Sequence, residues 1–155
     1  MKNVKMLVFD MDGTIADLYG VENWLSMLQA ENPYPYKAAV PMWDMQRLTE
    51  ILRKLQCRGV QIAVVTWLSK DSSEEYKTEV RKAKREWLAE QNFPFDFFHG
   101  VQFGSTKANS IRHKIGEFEQ AILFDDSDKV RKGWTLGETI NPTEQNLIEF
   151  LQELL

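Results

Sequence analysis

A chain of 155 residues with 43% hydrophobic and 27% charged side chains has ordinary globular composition and is long enough for one complete core without staples. Its formal charge of -4 argues against a broad basic surface for nucleic-acid polymers, though not against a local pocket for a phosphorylated small molecule. The single cysteine, Cys57, excludes an intrachain disulfide, and the apolar start breaks off at Asp10, too early for a signal peptide or a membrane span. The expectation is a cytoplasmic monomer or weak homo-oligomer with no membrane partner.

Met6-Leu-Val-Phe9 is predicted as a buried strand of a parallel sheet, running straight into Asp10-Met-Asp12-Gly13-Thr14. Side chains alternate along a strand, so Asp10 and Asp12 leave its end on the same side, where parallel sheets gather ligands. Gly13 lets the backbone bend and approach a ligand closely. Two carboxylates at one strand end repel unless a cation sits between them, and magnesium suits an all-oxygen site. Such a pair can divide the work, one carboxylate as nucleophile and the other as acid/base. The same residues also suit a plain acidic turn. A calcium loop fits poorly, because Thr14, Ile15 and Ala16 supply too few of the oxygens it needs.

Residues from about 15 to 43 carry Tyr19, Trp24, Tyr34, Tyr36 and Trp43, broken by Pro33, Pro35 and Pro41. They predict a small helical flap whose aromatics either pack on the core, the commoner role, or stack on a substrate. Met45 to Leu55 has helical spacing after Asp44 and stops at Gly59. Gln61 to Thr66 is a second buried strand. Ser72-Ser-Glu-Glu75 has the form of a capping box, opening a helix with Tyr76, Val80, Ala83 and Trp87 on one face. A strand over Phe97 to Phe103 and a weaker helix over Lys107 to Phe118 follow. Ala121 to Phe124 is a compact strand ending in Asp125-Asp126. Trp134 to Leu136, between Gly133 and Gly137, is predicted as a short last strand. Asn141 and Pro142 then cap a helix carrying Leu147, Ile148, Leu151 and Leu154. This alternation predicts one domain over 1–155, an α/β fold with three α/β/α layers on a parallel sheet. His99 and His113 stand in no motif and are expected to be surface or structural residues.

Phosphoryl transfer needs a nucleophile, a metal held by carboxylates, a cation against the phosphate, and small hydroxyl or amide donors. Asp10 and Asp12, Thr66, Lys107 and the Asp125-Asp126 pair supply all four at ends that a parallel sheet brings together. Singly, Thr66 is an ordinary cap and Lys107 an ordinary solvated lysine. Their order is the argument.

That order resembles the haloacid dehalogenase superfamily over nearly the whole chain. Asp10-Met-Asp12-Gly13-Thr14 matches its first motif without substitution, and Val65-Thr66-Trp67 looks like the second, though Trp67 stands where a small or polar residue is usual. Lys107 resembles the third-motif lysine, with Lys114 and Lys129 weaker stand-ins, and Asp125-Asp126 resembles the paired aspartates of the fourth. The resemblance implies Asp10 as nucleophile and Asp12 as general acid/base. Magnesium would be held by the Asp10 carboxylate, the Asp12 backbone carbonyl and Asp126, with Asp125 orienting Lys107 or a metal water. Gly13, Thr14, Thr66, Trp67 and Lys107 would line the phosphate and substrate side. Dehalogenases lack an acid/base aspartate at the Asp12 position and ion-pumping ATPases carry threonine there, so a phosphomonoesterase is implied. Its cap would be minimal, a layout comparable to short-capped deoxyribonucleotidases, and its partner a small phosphorylated substrate, with nucleotides among the options. A capless phosphoprotein phosphatase is the alternative within the class. A receiver-like phospho-accepting module is the alternative outside it, but receiver domains place the paired acids on the first strand and the acceptor on a later one.

Overall fold

A computed structural model describes residues 4–115 and 120–155. In chain order its strands are β1 (Val4–Phe9), β2 (Ala16–Asp17), β3 (Val40–Pro41), β4 (Gln61–Trp67), β5 (Phe97–Val101), β6 (Gln120–Phe124) and β7 (Thr139–Ile140). The helices are α1 (Trp24–Gln29), α2 (Tyr34–Ala38), α3 (Met45–Cys57), α4 (Glu74–Glu90), α5 (Lys107–Ile111), α6 (Asp128–Lys132) and α7 (Leu147–Glu153). Five strands pair in parallel in the order β5-β4-β1-β6-β7, and β2 pairs antiparallel with β3 in a separate ribbon.

Strands covered on both faces need apolar side chains at every position, which is why β1, β4 and β6 are continuous apolar runs. Leu7 lies between Ile62 and Ile122, and Phe9 between Val64 and Phe124. These side chains form one core with Leu48, Leu52 and Leu55 of α3, Trp87 and Leu88 of α4, and Leu147 and Leu151 of α7. The alternate residues Met6, Val8, Ala63, Val65 and Leu123 pack on the other face with Ala108, Ile111 and Trp134. The fold is thus the expected α/β/α sandwich on a parallel sheet. Counted along the chain, the five sheet strands run 3-2-1-4-5, so the order reverses between β1 and β6, where a crevice opens beyond the carboxyl ends.

The segment between β1 and α3 folds as the β2–β3 ribbon carrying a short 3-10 turn (Leu18–Gly20), α1 and α2. It is tied down by indole donors: Trp43 Nε1 to Thr14 O and Trp87 Nε1 to Ala39 O, both at 2.7 Å. Tyr76 OH also donates to Asn32 O at 3.0 Å.

Several expected boundaries move. The cap of α4 is Ser73, whose Oγ accepts from Tyr76 N at 3.1 Å, whereas Ser72 Oγ donates to Ser69 O at 2.9 Å. With Tyr76 at the third helical position no glutamate closes a capping box, and Glu31 of the flap takes the Ser73 N–H and hydroxyl instead. β5 ends at Val101 because Gln102 to Ser105 turn, with Gly104 at φ +84°. α5 stops at Ile111 and tightens to a 3-10 turn over Arg112–Lys114, and the remainder of that expected helix, residues 116–118, lies outside the described residues.

The last strand is Thr139–Ile140, not Trp134 to Leu136. The Trp134 indole turns inward and donates to Ala121 O, and Gly137, at φ +150°, passes so close to Ala121 that a Cβ would collide. The expected cap at Asn141 with Pro142 is instead a turn, in which Asn141 Oδ1 accepts from Thr143 N at 3.0 Å. α7 starts five residues later, behind Asn146. Among the described residues no helix is long and apolar enough to cross a membrane.

Candidate active site

Sheet hydrogen bonds place the acidic residues. Asp10 N donates to Phe124 O at 2.9 Å and Asp125 N to Ile140 O at 3.2 Å, so both leave neighbouring strands at the crevice. Lys107, the first residue of α5, is buried and reaches between them, with Nζ 2.8 Å from Asp10 Oδ1 and 2.7 Å from Asp125 Oδ2. Thr14 Oγ1 donates to Asp10 Oδ2 at 3.2 Å. The Thr14 side chain is fully buried, so it braces Asp10 rather than facing the crevice. Asp125 Oδ1 accepts from Ser127 N at 2.9 Å, so each oxygen of that carboxylate already carries a hydrogen bond, one from Lys107 and one from the following turn.

Asp12 is held differently. Its Oδ2 accepts from Lys84 Nζ at 2.9 Å, and the same ammonium donates to Thr66 Oγ1 at 2.7 Å and Trp67 O at 3.0 Å. Lys84 has no exposed surface at all. The sequence reading missed it. The available signal was its place on the apolar face of α4, four residues after Val80 and three before Trp87, where a solvated lysine does not belong.

Oxygens of Asp10, Asp125 and Asp126 lie within 4.8 Å of one another, close enough to hold one metal ion. Burial and the Asp10 charge push the Asp125 and Asp126 carboxyls up from their ordinary range. Burial likewise pushes Asp12 up, opposed by Lys84. Burial alone would lower the Lys107 ammonium, but Asp10 and Asp125 outweigh it and hold it above its usual value. Four carboxylates, Asp10, Asp12, Asp125 and Asp126, gather at the cavity, and the ammoniums ion-paired with them among the described residues are those of Lys84 and Lys107. The excess is two formal negative charges, the charge of one divalent cation. Gly13, at φ +78°, adds to this fit: a Cβ there would collide with the Asp126 carboxylate. The donor set is all oxygen, which suits magnesium.

A cavity of about 720 Å³ opens over these groups, between the flap and the sheet ends. Asp10, Asp12, Thr66, Trp67, Lys107, Asp125 and Asp126 all line it, joined by Tyr19, Trp24 and Tyr36 from the flap. Trp67 is pinned by Nε1 donating to Ser105 O at 2.9 Å; its ring centroid lies 5.7 Å from Lys107 Nζ and 4.9 Å from that of the exposed Phe103. The flap aromatics therefore divide. Trp43 ties the flap to the sandwich and the buried Tyr36 packs with Leu68 and Tyr76 at the cavity's edge, whereas Tyr19, half exposed, faces the cavity beside Trp24. Lys129 lies on α6 and Lys114 on the 3-10 turn, where its Nζ sits 4.1 Å over the Phe97 ring; neither lines the cavity. His99 is half-buried with an unpartnered Nε2, and His113 is exposed.

No protein-family model matches the chain, and no curated protein does. Among solved structures it is similar to a chain of the Pnkp1/Rnl/Hen1 complex, with TM-score 0.59 and 13% identity over 89% of this chain. The chain spans 45% of the length of that neighbour. It is also similar to D,D-heptose 1,7-bisphosphate phosphatase from Burkholderia thailandensis, with TM-score 0.50 and 17% identity, covering 86% of this chain and 74% of that one. At these identities the likeness is one of fold, an α/β/α sandwich on a parallel sheet.

Proposed function

We propose that the chain is a magnesium-dependent phosphomonoester hydrolase that works through an aspartyl-phosphate on Asp10. The observation that carries this reading is the Asp10 carboxylate itself. It stands at the reversal point of the sheet, held by Lys107 on one oxygen and Thr14 on the other, next to Asp126 and open to the cavity. A carboxylate so fixed can attack a phosphorus atom with little reorganisation. Lys107 and the Thr66 hydroxyl stabilise the transferring phosphoryl oxygens. Asp12 gives its proton to the leaving alkoxide, then takes one from the water that cleaves the acyl-phosphate. The Asp10 and Asp126 carboxylates with the Asp12 backbone carbonyl would hold the magnesium, which when bound neutralises the acidic cluster and the phosphate.

The cavity is roofed by the flap, which favours a small ester over a folded phosphoprotein. The aromatic lining of Tyr19, Trp24, Trp67 and Phe103 puts nucleotides first among such esters. The receiver-like alternative loses support from the strand order, since receiver sheets run 2-1-3-4-5 and this one 3-2-1-4-5. Phosphate release measured across nucleotides, sugar phosphates and phosphopeptides, with magnesium and with chelator, tests the proposal. Turnover should require the metal and be fastest on nucleotides. A stoichiometric phospho-protein formed from acetyl phosphate, with no turnover on any ester, would overturn it.

The metal assignment makes its own prediction. Asp126→Ala should raise the magnesium concentration needed for half-maximal activity at least about tenfold, because it removes a ligand oxygen. Asp125→Ala should change that requirement less and the maximal rate more, because Asp125 is spent on Lys107 and Ser127 N. Magnesium titrations of both variants decide, and equal shifts would refute the division of roles.

A further inference from the structure

Lysine is an expensive choice for the buried face of a helix. A charge withdrawn from water must be fully paired, and apolar residues of the same volume usually serve stability as well or better. Lys84 sits in the body of the 17-residue α4, with no exposed surface, and all three ammonium donors are used, on Asp12 Oδ2, Thr66 Oγ1 and Trp67 O. Nothing is left with which to touch a substrate. The Tyr36 ring, 4.9 Å from Nζ, closes the side toward the flap. The fold gains little from this arrangement that a methionine would not supply, but the cavity gains a fixed point.

Asp12 follows β1 on a turn beyond the strand's end, where an isolated bridge to Ala16 holds its backbone. Its carboxylate is 15% exposed, and Lys84 is its ion-pair partner. With Oδ2 engaged, Oδ1 is the oxygen left to exchange a proton in the cavity. The same ammonium occupies a lone pair of the Thr66 hydroxyl, which turns that O–H into a donor aimed elsewhere. One side chain thus ties the turn after β1 to the end of β4.

We propose that Lys84 is the positioning residue of the acid/base carboxylate, holding Asp12 Oδ2 and Thr66 Oγ1 together so that Asp12 Oδ1 faces the leaving group. The inference rests on the reading of Asp12 as acid/base.

The test is Lys84→Met in the full chain, alone and combined with Asp12→Asn, with rapid-mixing measurement of the phosphorylation step on two esters. An alkyl phosphate needs its leaving oxygen protonated and should react about a hundredfold more slowly in Lys84→Met, the usual worth of a general acid. p-Nitrophenyl phosphate needs little protonation, so its burst of p-nitrophenolate should slow by less than about tenfold, with KM for both esters nearly unchanged. In the Asp12→Asn background, Lys84→Met should change the alkyl ester rate by less than about twofold, because the two residues act as one unit.

Equal slowing of both esters, or losses that multiply in the double variant, would mean that Lys84 only supports the fold, and would overturn the proposal. If Lys84→Met fails to fold, Lys84→Gln, which keeps an amide donor, carries the same comparison. Wild-type protein that hydrolyses no ester would instead overturn the phosphatase reading and this inference with it. Turnover by wild type with equal slowing in the variant would overturn the Lys84 role alone.

Discussion

Asp10→Asn should abolish phosphate release while leaving the protein folded. The amide has almost the shape of the carboxylate, and its oxygen can still accept from Lys107, so the crevice keeps its architecture. It has no charged oxygen to attack phosphorus. Losing a nucleophile that acts with its partners as a unit costs at least about 10⁴ in kcat. Beryllium fluoride mimics an acyl-phosphate on the attacking oxygen. In magnesium it should raise the melting temperature of the wild type and leave that of the variant unchanged, since a ligand stabilises only the protein that binds it. Residual turnover within about tenfold of wild type would exclude covalent catalysis by Asp10.

Lys107→Met acts on rate and stability together. The ammonium is almost fully buried between two carboxylates, both within 2.8 Å. Removing it leaves Asp10 and Asp125 facing each other in a medium that screens them poorly. Breaking a buried ion pair from one side costs about 3–5 kcal/mol, and the expected loss here lies at the lower end because water can reach Asp10. Rates on alkyl and p-nitrophenyl phosphates should fall by similar factors, on the order of a hundredfold, because in the proposed mechanism Lys107 contributes charge and not a proton. Urea unfolding without metal should expose most of the stability loss. Magnesium should recover part of it, because the cation supplies charge at the same cluster. A variant as stable as wild type in chelator would show that the Asp10–Lys107–Asp125 network is not what neutralises this site.

Much of this architecture is legible in the chain because parallel strands buried on both faces can only be apolar, and apolar runs that stop dead in Asp, Thr or Asp-Asp mark their carboxyl ends. β1, β4 and β6 declare themselves in this way, and with them the meeting of Asp10, Thr66, Asp125 and Asp126. Lys107 is legible through its place at the start of the helix that feeds β6, since nothing local separates it from the chain's other lysines. Lys84 is legible only as a lysine on the apolar face of α4; what it pairs with depends on where β1 and β4 end in space. The displaced boundaries at Ser73, Trp134 and Asn141 have a common origin. In each case a side chain competes for backbone groups with the regular element: the Ser72 hydroxyl for Ser69 O, the Trp134 indole for Ala121 O, and the Asn141 amide oxygen for Thr143 N.

The two-rung ribbon of Ala16–Asp17 against Val40–Pro41 brings the points where the flap leaves and rejoins the sandwich side by side. What lies between is topologically a closed loop hung on a clasp. The conformational cost of lengthening such a loop grows only logarithmically, by about 0.6 kcal/mol for each doubling. Evolution, or an engineer, can therefore exchange the segment between Leu18 and Ala39 for a longer or differently lined one while the β1 terminus, and the chemistry anchored there, keeps its place. In the proposed hydrolase, the flap's share of the cavity lining is thus separable from the strand ends that would carry the reaction.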